Sequence, residues 1–530
     1  MLIDQNCSIP GVKSNSKFEL WLTKNDRISS RNVVVKESCL GGIGLFYKQG
    51  ESNNDEDIGE RVILRIKGFW YDYMTLMKDL EKLQPENSKI VKLVLKAIEP
   101  TSETSILKSY FIAFKICMTL NKTVKDLYLD DIIPYVDVLS NTSIGKFDID
   151  IGNISQSKGF ESGYLLESKL KYEMEFEKYQ QLLKELGNEL DKPFEYLQNE
   201  VFDFTTFYQI GAAVRSRVLE IPYEDEEEDK NDSKSSTYYT NITLVPFLDF
   251  ANHSNVKQMN AFFDVDRNNG DILLKLDSDE LKDGEEITIC YSPDENIQSM
   301  ITTYGFIPQN YHDSTQTFEI KISHEWLNQY IDQLHGTKNI EYSSICKWLD
   351  ISVNFKMMIT GDDVVVTYQS ETLPIIFAKN LEYDLNWKNK LFEVKDGPFS
   401  SIVEVEEQLE IVHLIENSKL ISDYFPGLPP IAVLVKGKSY SYNDLFEALG
   451  IETEDNLYNL KRLVSEMIHQ YCLECITNDN NELMKNLSLQ NNNDVNLQFQ
   501  YIQTEINILE KFEKAYERNP ESVIPIYEEV

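Results

Sequence analysis

Side chains that could bind or orient a small ligand are concentrated in four short segments far apart in the chain. Closely spaced glycines allow the backbone to approach a ligand, and arginine, asparagine, histidine and tyrosine side chains supply hydrogen-bonding groups. Such a set requires neither a metal nor a covalent nucleophile. The segments are residues 40–46 with Gly42-Ile43-Gly44, residues 215–219 with Arg217, residues 244–254 with Asp249, Asn252 and His253, and residues 284–306 with Tyr291 and Tyr304.

Each segment has an ordinary structural explanation when it is taken alone. The Gly42-Ile43-Gly44 sequence is typical of a tight turn, and it lacks the third glycine and the following helix of a dinucleotide-binding motif. A histidine in an Asn-His-Ser turn is more often a hydrogen-bonded structural group than a ligand. A lone arginine is commonly a surface residue, and a lone tyrosine is commonly part of a core. The segments are therefore informative only as a set.

Sequence motifs for metal, phosphate and nucleophilic chemistry are missing. The six histidines are dispersed, and His324-Glu325 has no second histidine at the spacing of a zinc protease motif. The pair Cys472-x-x-Cys475 has no second pair that would complete a zinc site. The sequence has no Gly-x-x-x-x-Gly-Lys loop and no Gly-x-Ser-x-Gly turn. We therefore expect no metal site.

The pattern of apolar residues predicts an α+β protein whose β-fold is interrupted by helices. Strands are expected near Val33, Ile43 and Arg61, and again beyond Thr243. Between them the apolar residues follow the helical period. The predicted divisions are 18–70 and 208–310 for the two parts of a small-sheet domain, 71–207 for a helical insert, and 317–530 for a mostly α-helical C-terminal domain.

The order and wording of the four segments resemble the SET-domain methyltransferases of the Rubisco large-subunit methyltransferase type. Asn252-His253 follows Pro-Phe-Leu-Asp-Phe, and Tyr291 and Tyr304 stand thirteen residues apart between Gly-Glu-Glu and Gly-Phe. In that type a SET β-fold is split by a helical insert and followed by a helical substrate-binding domain. The resemblance extends from about residue 18 to the end of the chain.

This resemblance implies that S-adenosyl-L-methionine donates a methyl group to a protein lysine. Tyr291 would be the catalytic residue, with its hydroxyl directed at the transferring methyl and the amine. Asp249 and Tyr304 would lie at the substrate lysine, with ordering of a knot-like chain crossing as the alternative role of Asp249. The residues implied to bind the donor are Gly42, Ile43, Gly44, Arg217, Asn252, His253 and Tyr291.

Methyl transfer to lysine needs an uncharged amine, although the pKa of a free lysine is about 10.4. A narrow apolar tunnel and a nearby sulfonium cation would both lower that pKa. One departure from the family concerns this tunnel, because a tyrosine usually follows the Asn-His motif closely. Here Phe262 and Phe263 occupy the region, so Phe263 is predicted to contact the substrate, and the number of methyl groups transferred stays open.

The charge balance predicts a basic partner. Lys and Arg total 51 against 88 Asp and Glu, which gives a net charge of −37. Such a chain attracts basic proteins and is repelled by nucleic acid and by anionic membrane surfaces. The acidic run at 224–229 is predicted to be a solvated loop, with a docking site for basic segments as the alternative. No apolar stretch has membrane-spanning length.

The sequence therefore predicts a protein-lysine N-methyltransferase that acts on a basic, non-histone protein. By likeness to proteins of similar layout, a ribosomal protein or a translation elongation factor is the expected substrate. The alternatives are a catalytically inactive SET scaffold that binds basic proteins, and a histone lysine methyltransferase. We expect a monomer. We expect it in the cytoplasm because neither a secretory signal nor a basic localisation cluster is evident, and the nucleus is the second location considered.

Overall fold

The computed structural model describes most of the chain. The acidic run 224–229 and the asparagine-rich stretch 478–496 are both predicted to be loops, and all of their residues except Glu224 and Asn496 lie outside the part of the chain that the structure describes. The described residues are 2–30, 32–49, 61–144, 163–224, 238–266, 268–277, 281–293, 296–308, 315–335, 353–370, 373–377, 381–384, 432–435, 438–439, 454–476 and 496–528.

The chain divides into two compact units. Residues 1–156 and 168–314 make up the first unit, and residues 157–167 and 315–530 make up the second. Both units contain helices and sheets, so the predicted α+β class is confirmed. The finer boundaries drawn from the sequence stay predictions.

Short strands build the β-structure of the first unit. They are β1 (Ile28–Ser30), β2 (Val33–Glu37), β3 (Ile43–Tyr47), β4 (Val62–Ile66), β5 (Val218–Glu224), β6 (Tyr238–Leu244), β7 (Asn252–His253), β8 (Ala261–Val265), β9 (Ile272–Leu276) and β10 (Glu286–Ile289).

These strands form two four-stranded sheets and a hairpin. One sheet has the order β1-β4-β9-β8, the other has the order β2-β3-β10-β7, and β5 pairs with β6. Each sheet joins strands from before and after the helical insert, so the two halves of the β-fold complete each other. Strand β10 lies between β3, to which it is antiparallel, and β7, to which it is parallel. This arrangement brings the glycine turn before β3 next to the Asn252-His253 pair.

The helices N-terminal to residue 315 are largely those that the apolar period predicts. They are α1 (Asn15–Leu22), α2 (Tyr73–Asp79), α3 (Pro85–Ile98), α4 (Glu103–Leu120), α5 (Leu127–Asn141), α6 (Gly163–Leu190), α7 (Phe204–Arg217) and the short α8 (Ile297–Ser299), with a single turn at Phe194–Tyr196. A π-helical turn, Met300–Tyr304, continues α8.

Local sequence signals fix where the insert helices begin. A proline starts α3, in a position where its missing N–H is not needed. Ser102 and Ser105 form a reciprocal capping box at α4. The side chains of Asp126 and Asp203 accept backbone N–H groups at the starts of α5 and α7. The starts of these helices are therefore encoded locally in the sequence.

An aromatic cluster anchors α5 in the core. Tyr71 stacks on Tyr135 with 5.7 Å between ring centroids, and Phe111 packs edge-on against both rings. All three side chains are buried. Offset and edge-to-face arrangements of this kind are the favourable ones for aromatic rings. The cluster therefore holds Tyr135 in place next to the β-fold.

The second unit contains helices, as expected, and its described residues also form two sheets. Residues 354–360 and 363–366 alternate between buried and more exposed positions, which is a strand period that was not recognised in the sequence. The described helices are α9 (His324–His335), α10 (Glu454–Glu474) and α11 (Asn496–Arg518), and the strands are β11 (Gln316–Lys321), β12 (Asn354–Thr360), β13 (Asp363–Tyr368), β14 (Leu381–Asp384), β15 (Ala432–Val435), β16 (Lys438–Ser439) and β17 (Ile526–Tyr527). The sheet orders are β11-β12-β13-β17 and β14-β15-β16.

Candidate active site

A cavity of about 520 Å³ lies in the first unit, where β3, β7 and β10 meet. Its size is within the range of about 300–1,000 Å³ that is usual for small-molecule sites. Gly44 and Phe263 are not part of its lining. The other predicted site residues all line it, namely Gly42, Ile43, Arg217, Asp249, Asn252, His253, Tyr291 and Tyr304. The four distant segments therefore meet at one place, although the role of each residue stays a prediction.

Tyr291 lies two residues after the end of β10 and is hydrogen-bonded through both its backbone and its hydroxyl. Its backbone N–H donates to His253 Nδ1 at 3.1 Å, and its hydroxyl donates to the Ala251 carbonyl oxygen at 2.7 Å. Burial raises the pKa of the Tyr291 hydroxyl above its ordinary value, while the Arg217 guanidinium opposes this shift. The hydroxyl is therefore neutral at physiological pH, with a fixed direction and oxygen lone pairs that face no described donor.

Tyr304 and Phe306 complete an aromatic wall with Tyr291 and His253. The ring centroids of Tyr291 and Tyr304 are 4.7 Å apart, and those of His253 and Phe306 are 5.9 Å apart. Gly305 separates the two aromatic residues and ends the π-helical turn with φ +81°. Its N–H donates to the carbonyl oxygens of Met300 and Ile301. A left-handed residue there turns the chain so that Tyr304 and Phe306 both line the cavity.

In the cavity wall, Arg217 and Asp249 form a buried ion pair. Arg217 Nη1 lies 3.0 Å from both the Asp249 carboxylate and its carbonyl oxygen, and the Asp249 side chain is 0% exposed. Tyr135 from α5 donates to the same carboxylate at 2.7 Å. Burial raises the pKa of Asp249, whereas Arg217 and Tyr135 favour its charged form. The pair links the end of α7 to the segment before β7.

Backbone strain marks the turn that places Asp249. Phe247 has φ +78° although it carries a side chain, and that side chain is completely buried. A non-glycine residue in this region costs roughly 1–3 kcal/mol, and it persists only where the surrounding packing determines it. The strained turn leads into the single helical turn Leu248–Phe250, from which Asp249 reaches Arg217.

Asn252 and His253 are fixed by different partners. The Asn252 amide nitrogen donates to the Ile43 carbonyl oxygen at 3.0 Å and to Glu286 at 2.7 Å. His253 is buried and accepts from the backbone of Tyr291. The parallel pairing of β7 with β10 sets Asn252 opposite Thr288 and His253 opposite Ile289. Both side chains are thus held in place by these hydrogen bonds and by the pairing of β7 with β10.

The glycine turn has two different reasons for its glycines. Gly41 and Gly42 have φ values of +123° and +65°, which L side chains rarely adopt. Gly44 is needed for space, because a Cβ there would come within 2.3 Å of a Glu286 carboxylate oxygen. Gly44 therefore supports the cavity wall from behind, which explains why it does not line the cavity itself.

Phe263 occupies a different place from the one expected. It lies in β8, opposite Leu274 of β9, and packs partly buried against the core of the first unit. Because β8 belongs to the sheet that does not contain β7 and β10, its side chains do not reach the cavity lining. The structure therefore gives no support to substrate contact by Phe263.

Several lining residues escaped the sequence analysis. Thr142, Ser143 and Ile144 follow the C-terminal end of α5, and Pro10 and Phe306 contribute further surface. A helical insert was predicted, but the apolar period of its helices identifies only which faces are buried. It does not show which other segment of the chain those faces pack against. Phe306 had a usable signal, because it stands next to Gly305 and Tyr304 in one of the four segments.

Metal ligands and membrane spans are not found in the part of the chain that the structure describes. No group of three or more His, Cys, Asp or Glu side chains there has the geometry to hold a metal ion. No described helix combines the length and apolar character needed to cross a bilayer.

The class that the resemblance implied, the SET-domain protein-lysine methyltransferases, is confirmed by a family match over most of the chain. The family described as cytochrome c lysine N-methyltransferase 1 matches residues 18–527. The chain belongs to this family.

Curated relatives carry the same description. The protein of Saccharomyces cerevisiae is 29% identical over 359 residues, which are 61% of this chain and 55% of the relative. The protein of Candida glabrata is 28% identical over 64% of this chain and 65% of the relative, and that of Kluyveromyces lactis is 24% identical over 76% and 79%. The chain thus spans less than two thirds of the first two relatives.

Among solved structures, the chain is similar to Rubisco LSMT. The structure described as Rubisco LSMT bound to AdoMet covers 95% of this chain and 91% of its own, at 14% identity and a TM-score of 0.47. The SET domain of LSMT bound to lysine and AdoHcy has the same coverage, 15% identity and a TM-score of 0.46. Similarity at this level assigns no role to any residue.

Proposed function

We propose that this protein is an S-adenosylmethionine-dependent protein-lysine N-methyltransferase and that its substrate is a cytochrome c. The observation that carries the proposal is the meeting of Asn252, His253, Tyr291 and Tyr304 at one cavity. Membership of the cytochrome c lysine N-methyltransferase 1 family supports both the reaction and the substrate.

The residues present fit S-adenosylmethionine as the methyl donor. The aromatic rings of His253, Tyr291, Tyr304 and Phe306 line one cavity, and aromatic faces attract cations such as a sulfonium. The glycine turn offers backbone without side chains, and Asn252 offers a fixed amide group. When bound, the donor supplies a methyl group on a positively charged sulfur. The residues proposed to hold it are Gly42, Ile43, Arg217, Asn252, His253 and Tyr291.

Tyr291 is proposed to orient the reacting groups. Its hydroxyl hydrogen is already donated to the Ala251 carbonyl oxygen, so the phenolic oxygen acts as an acceptor. An acceptor of fixed direction can contact the hydrogens of the transferring methyl group and those of the lysine amine. It can thereby hold the amine nitrogen, the methyl carbon and the sulfur on one line. Because both contacts of Tyr291 are formed in advance, little reorganisation is needed during transfer.

The bound donor also favours the reactive form of the substrate. A lysine amine that enters beside Tyr291 and Tyr304 leaves water and meets the positively charged sulfur of the donor, and both changes disfavour its protonated form. The neutral amine then has the lone pair needed to attack the methyl carbon while the carbon–sulfur bond breaks. No described side chain has to act as a nucleophile in this scheme.

A cytochrome c substrate is consistent with the basic partner that the net charge of −37 predicts. The earlier expectation of a ribosomal protein or elongation factor has less support, because the relatives are described as cytochrome c enzymes. A cytoplasmic location stays a proposal that rests on the sequence alone.

The test is methyl transfer from labelled S-adenosylmethionine to purified unmethylated cytochrome c. Purified histones and a ribosome and elongation-factor fraction serve as parallel acceptors. We expect label on cytochrome c lysine, identified by mass spectrometry, at a rate well above the other acceptors. Label confined to ribosomal proteins or elongation factors would remove the cytochrome c proposal and leave the reaction standing. Donor binding without transfer to any acceptor would favour the inactive scaffold.

A further inference from the structure

We infer that Glu286 is a positioning residue of the donor site: it sets the orientation of the Asn252 amide and supplies a negative charge that favours an ammonium group there. The inference rests on the proposed function, because the ammonium group belongs to the amino-acid arm of S-adenosylmethionine. Glu286 is the second glutamate of the Gly-Glu-Glu sequence before Tyr291, and neither glutamate was assigned a role from the sequence.

The Glu286 carboxylate is tied to both strands beside β10. Ser38, which follows β2, donates its hydroxyl to the two carboxylate oxygens at 2.7 and 2.8 Å. Asn252 of β7 donates its amide nitrogen to one of them at 2.7 Å. Gly44 of β3 packs against the carboxylate so closely that a Cβ would meet it at 2.3 Å. Glu286 is thus built into the wall between the glycine turn and Asn252.

This network decides which end of the Asn252 amide is available to a ligand. The Ile43 carbonyl oxygen and the Glu286 carboxylate are both acceptors, so the group that contacts them must be the NH₂ group. Both of its hydrogens are then in use. Asn252 lines the cavity, and its carboxamide oxygen is left as the acceptor for a ligand donor.

An acceptor backed by a carboxylate is complementary to a cationic donor. A hydrogen bond to a charged group is about twice as strong as a neutral one. The amino-acid arm of S-adenosylmethionine carries an ammonium group, whereas its adenosine portion carries none. The site near Glu286 therefore recognises the arm, and removing the charge should weaken ligands with the arm more than ligands without it.

The experiment compares ligands with and without the amino-acid arm on matched variants. Dissociation constants are measured by calorimetry for S-adenosylmethionine and for 5′-methylthioadenosine, which lacks both the arm and the sulfonium charge. S-adenosylhomocysteine, which keeps the arm on an uncharged sulfur, is measured beside them and should respond as S-adenosylmethionine does. Glu286→Gln keeps the shape of the side chain and removes the charge. Glu285→Gln makes the same change at the adjacent exposed residue, whose carboxylate contacts only the Lys282 backbone among the described hydrogen bonds.

We expect Glu286→Gln to raise the dissociation constant for S-adenosylmethionine about 10-fold and that for 5′-methylthioadenosine less than about 2-fold. Glu285→Gln should change neither. Should Glu286→Gln fold poorly, Ser38→Ala provides the second test, with a rise of about 3-fold for the ligand with the arm only.

An equal rise for both ligands would reduce Glu286 to a structural residue, and an unchanged constant for S-adenosylmethionine would remove its role altogether. Either result leaves the proposed function intact. Failure of the wild-type protein to bind S-adenosylmethionine would instead overturn the proposed function itself.

Discussion

Tyr291 is fixed in direction by contacts that exist before any ligand binds. The hydroxyl donates to Ala251 and the backbone N–H donates to His253, so the ring has little freedom inside the cavity. A side chain held in this way mainly stabilises the transition state of the reacting groups, and it contributes less to binding of the ground state. Loss of its hydroxyl should therefore affect turnover more than donor binding.

The substitution Tyr291→Phe is expected to lower kcat about 10²-fold while it changes the dissociation constant of S-adenosylmethionine by less than about 3-fold. Single-turnover transfer and calorimetry measure the two quantities. Tyr47→Phe is the matched control, because the Tyr47 hydroxyl is also hydrogen-bonded, as the acceptor of the Asn32 amide, and Tyr47 lies outside the cavity lining. A kcat for Tyr291→Phe close to that of Tyr47→Phe would contradict the catalytic role.

The protonation of Tyr291 leads to a prediction about pH. Burial disfavours the tyrosinate and raises the pKa of this hydroxyl above its ordinary value of 10, so the neutral form persists in alkaline solution. The substrate lysine, in contrast, becomes more reactive as pH rises. We expect single-turnover rates to increase or level off between pH 7 and 10 without a descending limb. A fall with a midpoint below pH 10 that disappears in Tyr291→Phe would refute this.

At the scale of elements, the sequence predicts strands of the first unit well, but it predicts poorly which elements pack against one another. The strands near Val33, Ile43 and Arg61 carry alternating or continuous apolar residues, which can be read directly. The contact of Tyr135 with Asp249 spans 114 positions in sequence, and nothing in the helical period of α5 specifies that partner. Phe263 shows the same limit, because a strand pattern does not say which sheet a strand joins.

The π-helical turn after α8 is expected to be sensitive to substitution at Gly305, which has a positive φ. Alanine there would have to adopt φ +81°, at a cost of roughly 1–2 kcal/mol. The nearest contact of a new Cβ would be Ile144 at 3.9 Å, so backbone strain and not crowding is the cause. Relief of that strain should move Tyr304 and Phe306. We expect Gly305→Ala to lower thermal stability and to weaken S-adenosylmethionine binding about 5-fold.

Gly361 provides the control for that substitution. It joins β12 to β13 in the second unit with φ +64°, and a Cβ there meets nothing within 4 Å. Gly361→Ala should therefore lose similar stability, measured by thermal unfolding, without any change in the donor dissociation constant. If both variants bind the donor equally, the turn at Gly305 does not shape the cavity.

For the whole molecule, the split β-fold explains why the helical insert cannot be treated as a separate body. Strands from before and after the insert share both sheets, and Tyr135 of the insert hydrogen-bonds to Asp249 in the cavity wall. Tyr71, which stacks on Tyr135, also pairs through its backbone with Leu244 of β6. Substitutions in α5 should thus be read as changes to the site and not to a remote domain.

The net charge of −37 is a property of the whole chain, and it predicts how a basic substrate finds the enzyme. Attraction at long range raises the association rate, and salt screens it, since the Debye length falls from about 10 Å at 0.1 M to about 3 Å at 1 M. We expect kcat/KM for cytochrome c to fall about 10-fold or more between roughly 0.05 and 0.5 M NaCl, while kcat changes little.

The dissociation constant of S-adenosylmethionine, measured over the same salt series, should stay nearly constant because the donor is small and is held by short-range contacts. A kcat/KM that does not depend on salt would show that the acidic surface has no part in substrate capture, and parallel losses in donor binding would trace the effect to the cavity instead.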